Sequence, residues 1–148
     1  MSDQSDLRIR VARRYKAPAE RVFDAWLDPA SLGRWLFATP EGRMVRVEVE
    51  PRVGGGFAVV ERRDGEDVLH SGVYLEIDRP RRLVFTLQVP KYSEDIEQVT
   101  VEIEPLDTGC ELVLAQAVSP AWASEAENIE QGWAGIIEAL AGMLEREG

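Results

Sequence analysis

The sequence predicts an α+β domain in which a seven-stranded antiparallel sheet meanders along the chain and packs on one long C-terminal helix. Three observations predict it. Apolar and polar residues alternate with a period of two in seven segments, the final segment switches to a spacing of three and four, and two short helical stretches separate the first strand from the second. The 148 residues suit one domain over 1–148, with residues 1–6 expected to be a flexible lead.

Taken in order, residues 7–16 set Leu7, Ile9 and Val11 on one face and Arg8, Arg10, Arg14 and Lys16 on the other, a half-buried strand. Pro18 fits the first turn of a helix whose Val22, Phe23 and Trp26 share a face. Asp28 then caps a second helix, opened by Pro29, with Leu32, Trp35 and Leu36 inward. Val45, Val47 and Val49 alternate with charged residues, and a turn over 51–56 leads to a strand over 57–63. Asp64-Gly65 is a hairpin signal. Residues 68–77 form the fourth strand. Leu83, Phe85, Leu87 and Val89 mark the fifth, followed by a loop over 90–95. Val99, Val101 and Ile103 mark the sixth, and Leu112, Leu114 and Gln116 the seventh. Ser124 and Glu127 have capping-box spacing ahead of a stripe of Ile129, Trp133, Ile136, Ile137, Leu140, Met143 and Leu144. That helix runs about 30 Å, enough to cross a sheet. Its Gly132, Ala134, Gly135, Ala139, Ala141 and Gly142 either pack closely on the sheet or leave room for a ligand.

Charge narrows the partners. The net charge is −10, yet residues 1–74 carry 12 basic and 12 acidic groups, so the whole excess lies in the second half, with 5 and 15. Such a surface repels phosphate backbones and argues against nucleic acid. No signal peptide opens the chain, no apolar run is long enough for a membrane span, and a lone Cys110 fits a reducing cytoplasm.

Few residues offer chemistry. Gly54-Gly55-Gly56 lacks the lysine and helix of a phosphate loop, and Asp107-Thr108-Gly109 reads as a hairpin turn. One histidine and one cysteine argue against a transition-metal site. A Cys110–His70 nucleophile pair is expected to be held apart by the order of strands. Parity in the fourth strand sends Leu69, Ser71, Val73, Leu75 and Ile77 inward and leaves His70 with Glu76 on the solvent face. Glu61, Gln116, Arg13 and Tyr15 have inward parity. Glu61 and Arg13 lie near strand ends, where solvent exposure is the expectation; if both turn inward they pair or meet a polar ligand group. Trp26 and Trp35 are expected in the core, Trp122 near a cavity mouth, and Trp133 pointing into the sheet.

Ala17-Pro18-Ala19-Glu20-Arg21-Val22-Phe23-Asp24-Ala25-Trp26, with Asp28-Pro29 and Arg34-Trp35, resembles the opening of the START-like superfamily. The branch it resembles most is named after the activator of the heat-shock protein 90 ATPase. Arg52-Val53-Gly54-Gly55-Gly56-Phe57, Gly72-Val73-Tyr74-Leu75-Glu76-Ile77 and Gly132-Trp133 are similar to further signatures of that branch. The resemblance implies a helix-grip fold, a curved sheet around the long helix with an internal apolar cavity. It also implies apolar-ligand or lipid binding, cyclase chemistry in a related branch, or a stress-response role stimulating a chaperone ATPase. Eukaryotic activators of that branch carry a further N-terminal domain that is not recognised here, which weakens the co-chaperone reading.

The expectation is therefore a small cytoplasmic protein, monomer or homodimer, that binds an apolar molecule between sheet and helix without cofactor, metal or catalytic residue. Trp133, Ile137, Phe57 and Phe85 would line the site, Ser71, Gln116 and Glu61 would supply polar contacts, and Trp122 would stand at the mouth. The alternatives are a cyclase or dehydratase using Glu61, His70 or Tyr74 as proton donors, and a chaperone-binding protein. An interior cavity of several hundred Å³ would favour the first two; an exposed apolar patch around Val53 and Phe57, or at Pro90-Lys91-Tyr92, would favour the third.

Overall fold

The computed structural model describes residues 8–35, 43–90, 96–118 and 124–147. The chain runs β1 (Arg8–Tyr15), α1 (Ala19–Ala25), α2 (Pro29–Trp35), β2 (Arg43–Val49), β3 (Gly56–Arg63), β4 (Glu66–Asp78), β5 (Arg82–Leu87), β6 (Glu97–Leu106), β7 (Gly109–Ala117) and α3 (Ala126–Glu147). All seven strands join one antiparallel sheet in the order β1-β7-β6-β5-β4-β3-β2, so the first and second strands are its two edges. This is the helix-grip arrangement, a curved sheet holding a long C-terminal helix.

Local chemistry explains the joints. Asp28 Oδ1 accepts from the Ala30 N–H at 3.1 Å and so caps α2. Asp64 and Gly65 both have positive φ, 51° and 82°, the two-residue turn whose twist matches a β-hairpin. That turn pairs Arg63 with Glu66, and hence Val59 with His70 and Glu61 with Val68. A bulge between Tyr74 and Glu76 then shifts the register of β4 against β5.

The concave face is apolar. One row crosses it from Tyr74 through Phe85, Val99 and Gln116 to Ile9. Helix α3 lays Trp133, Ile137, Leu140 and Met143 over this face, all buried. Its polar contacts with the rest of the chain include three toward its C-terminal half. The Tyr15 hydroxyl donates to the Ile137 carbonyl at 2.9 Å, Ser31 Oγ approaches Met143 Sδ at 3.4 Å, and Arg21 Nη2 donates to the Leu144 carbonyl at 3.1 Å. Trp26 and Trp35 are buried where α1 and α2 meet the sheet. Each large apolar side chain so buried contributes about 1.5–3 kcal/mol.

Four of the small residues of α3, Gly132, Ala134, Gly135 and Ala139, serve neither purpose assigned to them from sequence. Gly132 and Gly135 face open space, and Ala134 and Ala139 are exposed; only Ala141 of that set is buried. Those four occupy the outer side of the helix.

Candidate functional site

Two polar groups interrupt the concave face. The first joins helix to sheet: the Trp133 indole N–H donates to Gln116 Oε1 at 2.6 Å, both side chains buried. The second lies at the far end of the β3–β4 hairpin. Glu61, only 1% exposed, forms an ion pair with the Arg63 guanidinium, and His70 stands on the same face beside them. Burial, and then the positive charge of Arg63, push the His70 pKa down to about 4, with Glu61 opposing. His70 is therefore neutral at pH 7. Strands β5 and β6 stand between His70 in β4 and Gln116 in β7, and Gln116 lies in the row of Tyr74, four residues farther along β4, so the two groups form separate sites.

Between them lies an aromatic cluster. Phe57 meets Phe85 edge-on at 5.5 Å and Tyr74 at 5.8 Å; Trp26 meets Phe85 at 6.1 Å and Trp35 edge-on at 4.7 Å. Gly72 makes room for it, because a Cβ there would strike the Thr86 carbonyl oxygen and the Phe57 ring. The void lined by Trp26, Leu32, Phe57, Tyr74, Leu83 and Phe85 is about 10 Å³, close to the room one water needs and far short of the interior cavity of several hundred Å³ expected from sequence. Larger clefts open at the surface: two of about 400 and 470 Å³ on either side of Pro18 and Arg21 contain none of the residues chosen from sequence as ligand contacts, and one of about 450 Å³ beside Val49, Gly56 and Gly72 includes Phe57.

The parity assigned to β4 from sequence is reversed from Val68 to Leu75; past the bulge it holds, with Ile77 opposite buried Leu83 and packed on the core and Glu76 exposed. Val68, His70 and Tyr74 face inward and are buried, whereas Val73 and Leu75 are 43% and 46% exposed. Ser71 pairs with Ala58 and exchanges backbone hydrogen bonds with Gln88 at 3.0 and 2.8 Å, so its side chain lies on the opposite face from His70. Glu61 is also not at an exposed strand end. Arg13 is half-buried, pairs with Glu138 at 2.9 Å and lies 5.6 Å over the Tyr15 ring. Phe57, Phe85, Gln116, Trp133 and Ile137 stand on the face between sheet and helix; Trp122 and the Lys91-Tyr92 loop fall outside the described residues. Cys110 is buried in β7, and burial pushes its thiol pKa up, the reverse of an activated nucleophile. Burial alone raises the Tyr74 hydroxyl as well.

With this geometry in place, the family model described as activator of Hsp90 ATPase homolog 1-like protein matches residues 16–145. The chain belongs to that family. Among solved structures, protein CV1439 of Chromobacterium violaceum is similar at 30% identity over 93% of this chain and 96% of its own, with a TM-score of 0.83. The AHSA1-like protein of Aeromonas hydrophila shares the fold at 21% identity, covering 96% and 94%, with a TM-score of 0.83. CalU16 of Micromonospora echinospora is similar at 25% identity, covering 92% and 74%, with a TM-score of 0.69. No curated protein matches. The family comprises chaperone-ATPase activator homologues on a ligand-binding type of fold, and no helix among the described residues is long and apolar enough to cross a membrane.

Proposed function

We propose that the protein binds a small, mainly apolar molecule on the concave face beneath α3. The observation that carries this is the burial of Gln116 beneath α3, and of Glu61 and His70 farther along the same face, among mainly apolar side chains. A sheet that only had to hold a helix would be served by aliphatic residues, since each buried polar group costs stability until it is hydrogen-bonded. Apolar walls with a few placed polar groups are the composition of a ligand site. Because the void at the aromatic cluster is about 10 Å³, a ligand displaces side chains as it enters, and the tryptophans report it. His70 and Glu61 are neighbours, but a histidine neutral at pH 7 and a carboxylate tied to Arg63 suit recognition better than proton donation. The lone buried thiol suits a reducing cytoplasm.

Thermal unfolding against a panel of fatty acids, sterols, flavonoids and aromatic polyketides tests the reading. A ligand at 100 times its Kd adds about 2.7 kcal/mol, a rise of roughly 5–10 °C for this size. The rise is expected to shrink in Gln116→Met, which conserves volume and removes the amide. No rise across the panel in lipid-free protein would overturn the reading.

A second reading, contact with a chaperone, is favoured by one observation. Gly54 N–H and Tyr74 N–H exchange hydrogen bonds with Tyr74 and Gly55 carbonyls at 2.9 Å, which brings the turn carrying Val53 against the strand carrying Val73 and Leu75. Val53 is 59% exposed, so the three form an apolar patch on the convex side, while Phe57 is buried. If that patch acts, the protein raises the ATPase rate of an Hsp90-class chaperone and Val53→Asp with Leu75→Asp returns it to baseline; an unchanged rate with wild-type protein removes this reading.

A further inference from the structure

The cleft of about 400 Å³ on the β1 side of Pro18 differs in charge from the chain around it. Arg13 and Arg14 reach it from β1, Lys16 from the turn that follows and Arg21 from α1, and no acidic residue lines it. Those are four of 17 basic residues in a chain with 27 acidic ones. Across Pro18, the neighbouring cleft carries Glu20, Asp24 and Asp28, so the charge changes sign over a short distance.

Two of the four cations already have structural work. Arg21 Nη2 donates to the Leu144 carbonyl in the last turn of α3, and Arg13 pairs with Glu138 at 2.9 Å. The other two do not. The Arg14 side chain is 75% exposed and stands 3.9 Å from Glu111, an exposed pair that contributes little to stability. Lys16 is exposed and pairs with no carboxylate among the described residues. Polar and apolar atoms share the wall of the cleft; Pro18, Ala141 and Leu144 supply much of the apolar part. The volume is in the range of small-molecule sites, about 300–1,000 Å³.

Cations arriving from three elements surround an anion from several directions. A carboxylate is planar and one guanidinium fork satisfies it, whereas a phosphate monoester offers three acceptor oxygens and a charge of about −1.5 to −2. The apolar wall gives the organic half of an ester something to bury against, which inorganic phosphate lacks. The net charge of −10 does not forbid such a guest, because distant charges are screened beyond about 8 Å at physiological salt.

We propose that this cleft binds a soluble phosphate monoester with a compact apolar body, its phosphate on Arg14 and Lys16 with Arg13 and Arg21 adding charge. The site is separate from the concave face and does not rest on the reading given above.

Calorimetric titration of the full chain with phenyl phosphate, inorganic phosphate, benzoate and phenol tests it. Phenyl phosphate is expected to bind at least about tenfold more tightly than the other three, and less tightly as salt is raised. Arg14→Gln with Lys16→Gln should weaken it about tenfold or more. Arg8→Gln with Arg10→Gln changes the net charge equally at the other end of β1, on exposed side chains outside the cleft, and should leave binding unchanged. Equal weakening by the two pairs overturns the site, since only the overall field would then matter. Inorganic phosphate or benzoate binding as tightly as phenyl phosphate overturns the ligand class. Phosphatidic acid in phosphatidylcholine vesicles presents the same group on a surface; protein that sediments with them but ignores phenyl phosphate overturns a soluble ligand. No response to phenyl phosphate or vesicles overturns the proposal outright.

Discussion

Gly109→Ala is expected to cost about 3 kcal/mol or more and to lower Tm by roughly 6–12 °C. Gly109 opens β7 at φ 108°, a conformation that strains an L side chain, and a Cβ there would collide with the carbonyl oxygen of Tyr15. That oxygen belongs to backbone at the end of β1, so the strand itself has to move away. The displaced pair, Tyr15 opposite Cys110, lies beside the hydrogen bond from the Tyr15 hydroxyl to α3. Gly65→Ala is the control, because Gly65 also has positive φ, 82°, but nothing lies within 4 Å of its Cβ position. Strain alone predicts about 1 kcal/mol there. Urea unfolding of the two variants separates strain from collision; equal losses would mean that β1 does not approach Gly109 as described.

Acid is expected to weaken the fold through one side chain. In the unfolded chain His70 takes up a proton near pH 6.5; in the folded protein it resists until about 4, because burial and Arg63 disfavour the cation. Between those values the unfolded state binds more protons, so stability falls as pH falls through the window. The contribution is whole above pH 6.5 and gone below about 4. At 1.36 kcal/mol per unit the loss approaches about 3 kcal/mol. The chain has a single histidine, so the limb from pH 6.5 to 5 belongs to His70. Urea midpoints measured across pH should slope there in the wild type and flatten in His70→Gln. A flat wild-type profile over that limb would mean that His70 is solvated.

Strand positions and sheet order were legible because alternation is a direct imprint of a half-buried surface, as in Val99, Val101 and Ile103 of β6, all buried. Hydrophobicity is a poor guide to the face of β4 before its bulge. Val73 and Leu75 are apolar yet exposed, and burial is a one-way rule: apolar side chains are common on surfaces. A better guide was available. A two-residue turn at Asp64-Gly65 fixes the register, so inward Phe57, Val59 and Glu61 require inward Gly72, His70 and Val68. Glu61 and Ser71 cannot then share a face. The bulge past Tyr74, by contrast, has no signature in the local sequence. Nor does the buried indole N–H of Trp26, which has no acceptor among the described residues and whose surroundings come from α2 and three strands.

The order of strands in the sheet also dictates when the molecule can form. Arg8 in β1 finds its partner at Ala117, near the other end of the chain. At ribosomal speeds of about 5–20 residues per second, β1 emerges and waits roughly 5–20 s for β7 to be made. It waits as a bare edge, and an unpaired edge invites aggregation. The arginines at 8, 10 and 14 then act as a temporary solvating coat, keeping the segment in water until its late partner arrives. Folding is thus deferred until β7 has been made, and a chain truncated before β7 would keep the first strand permanently unmatched.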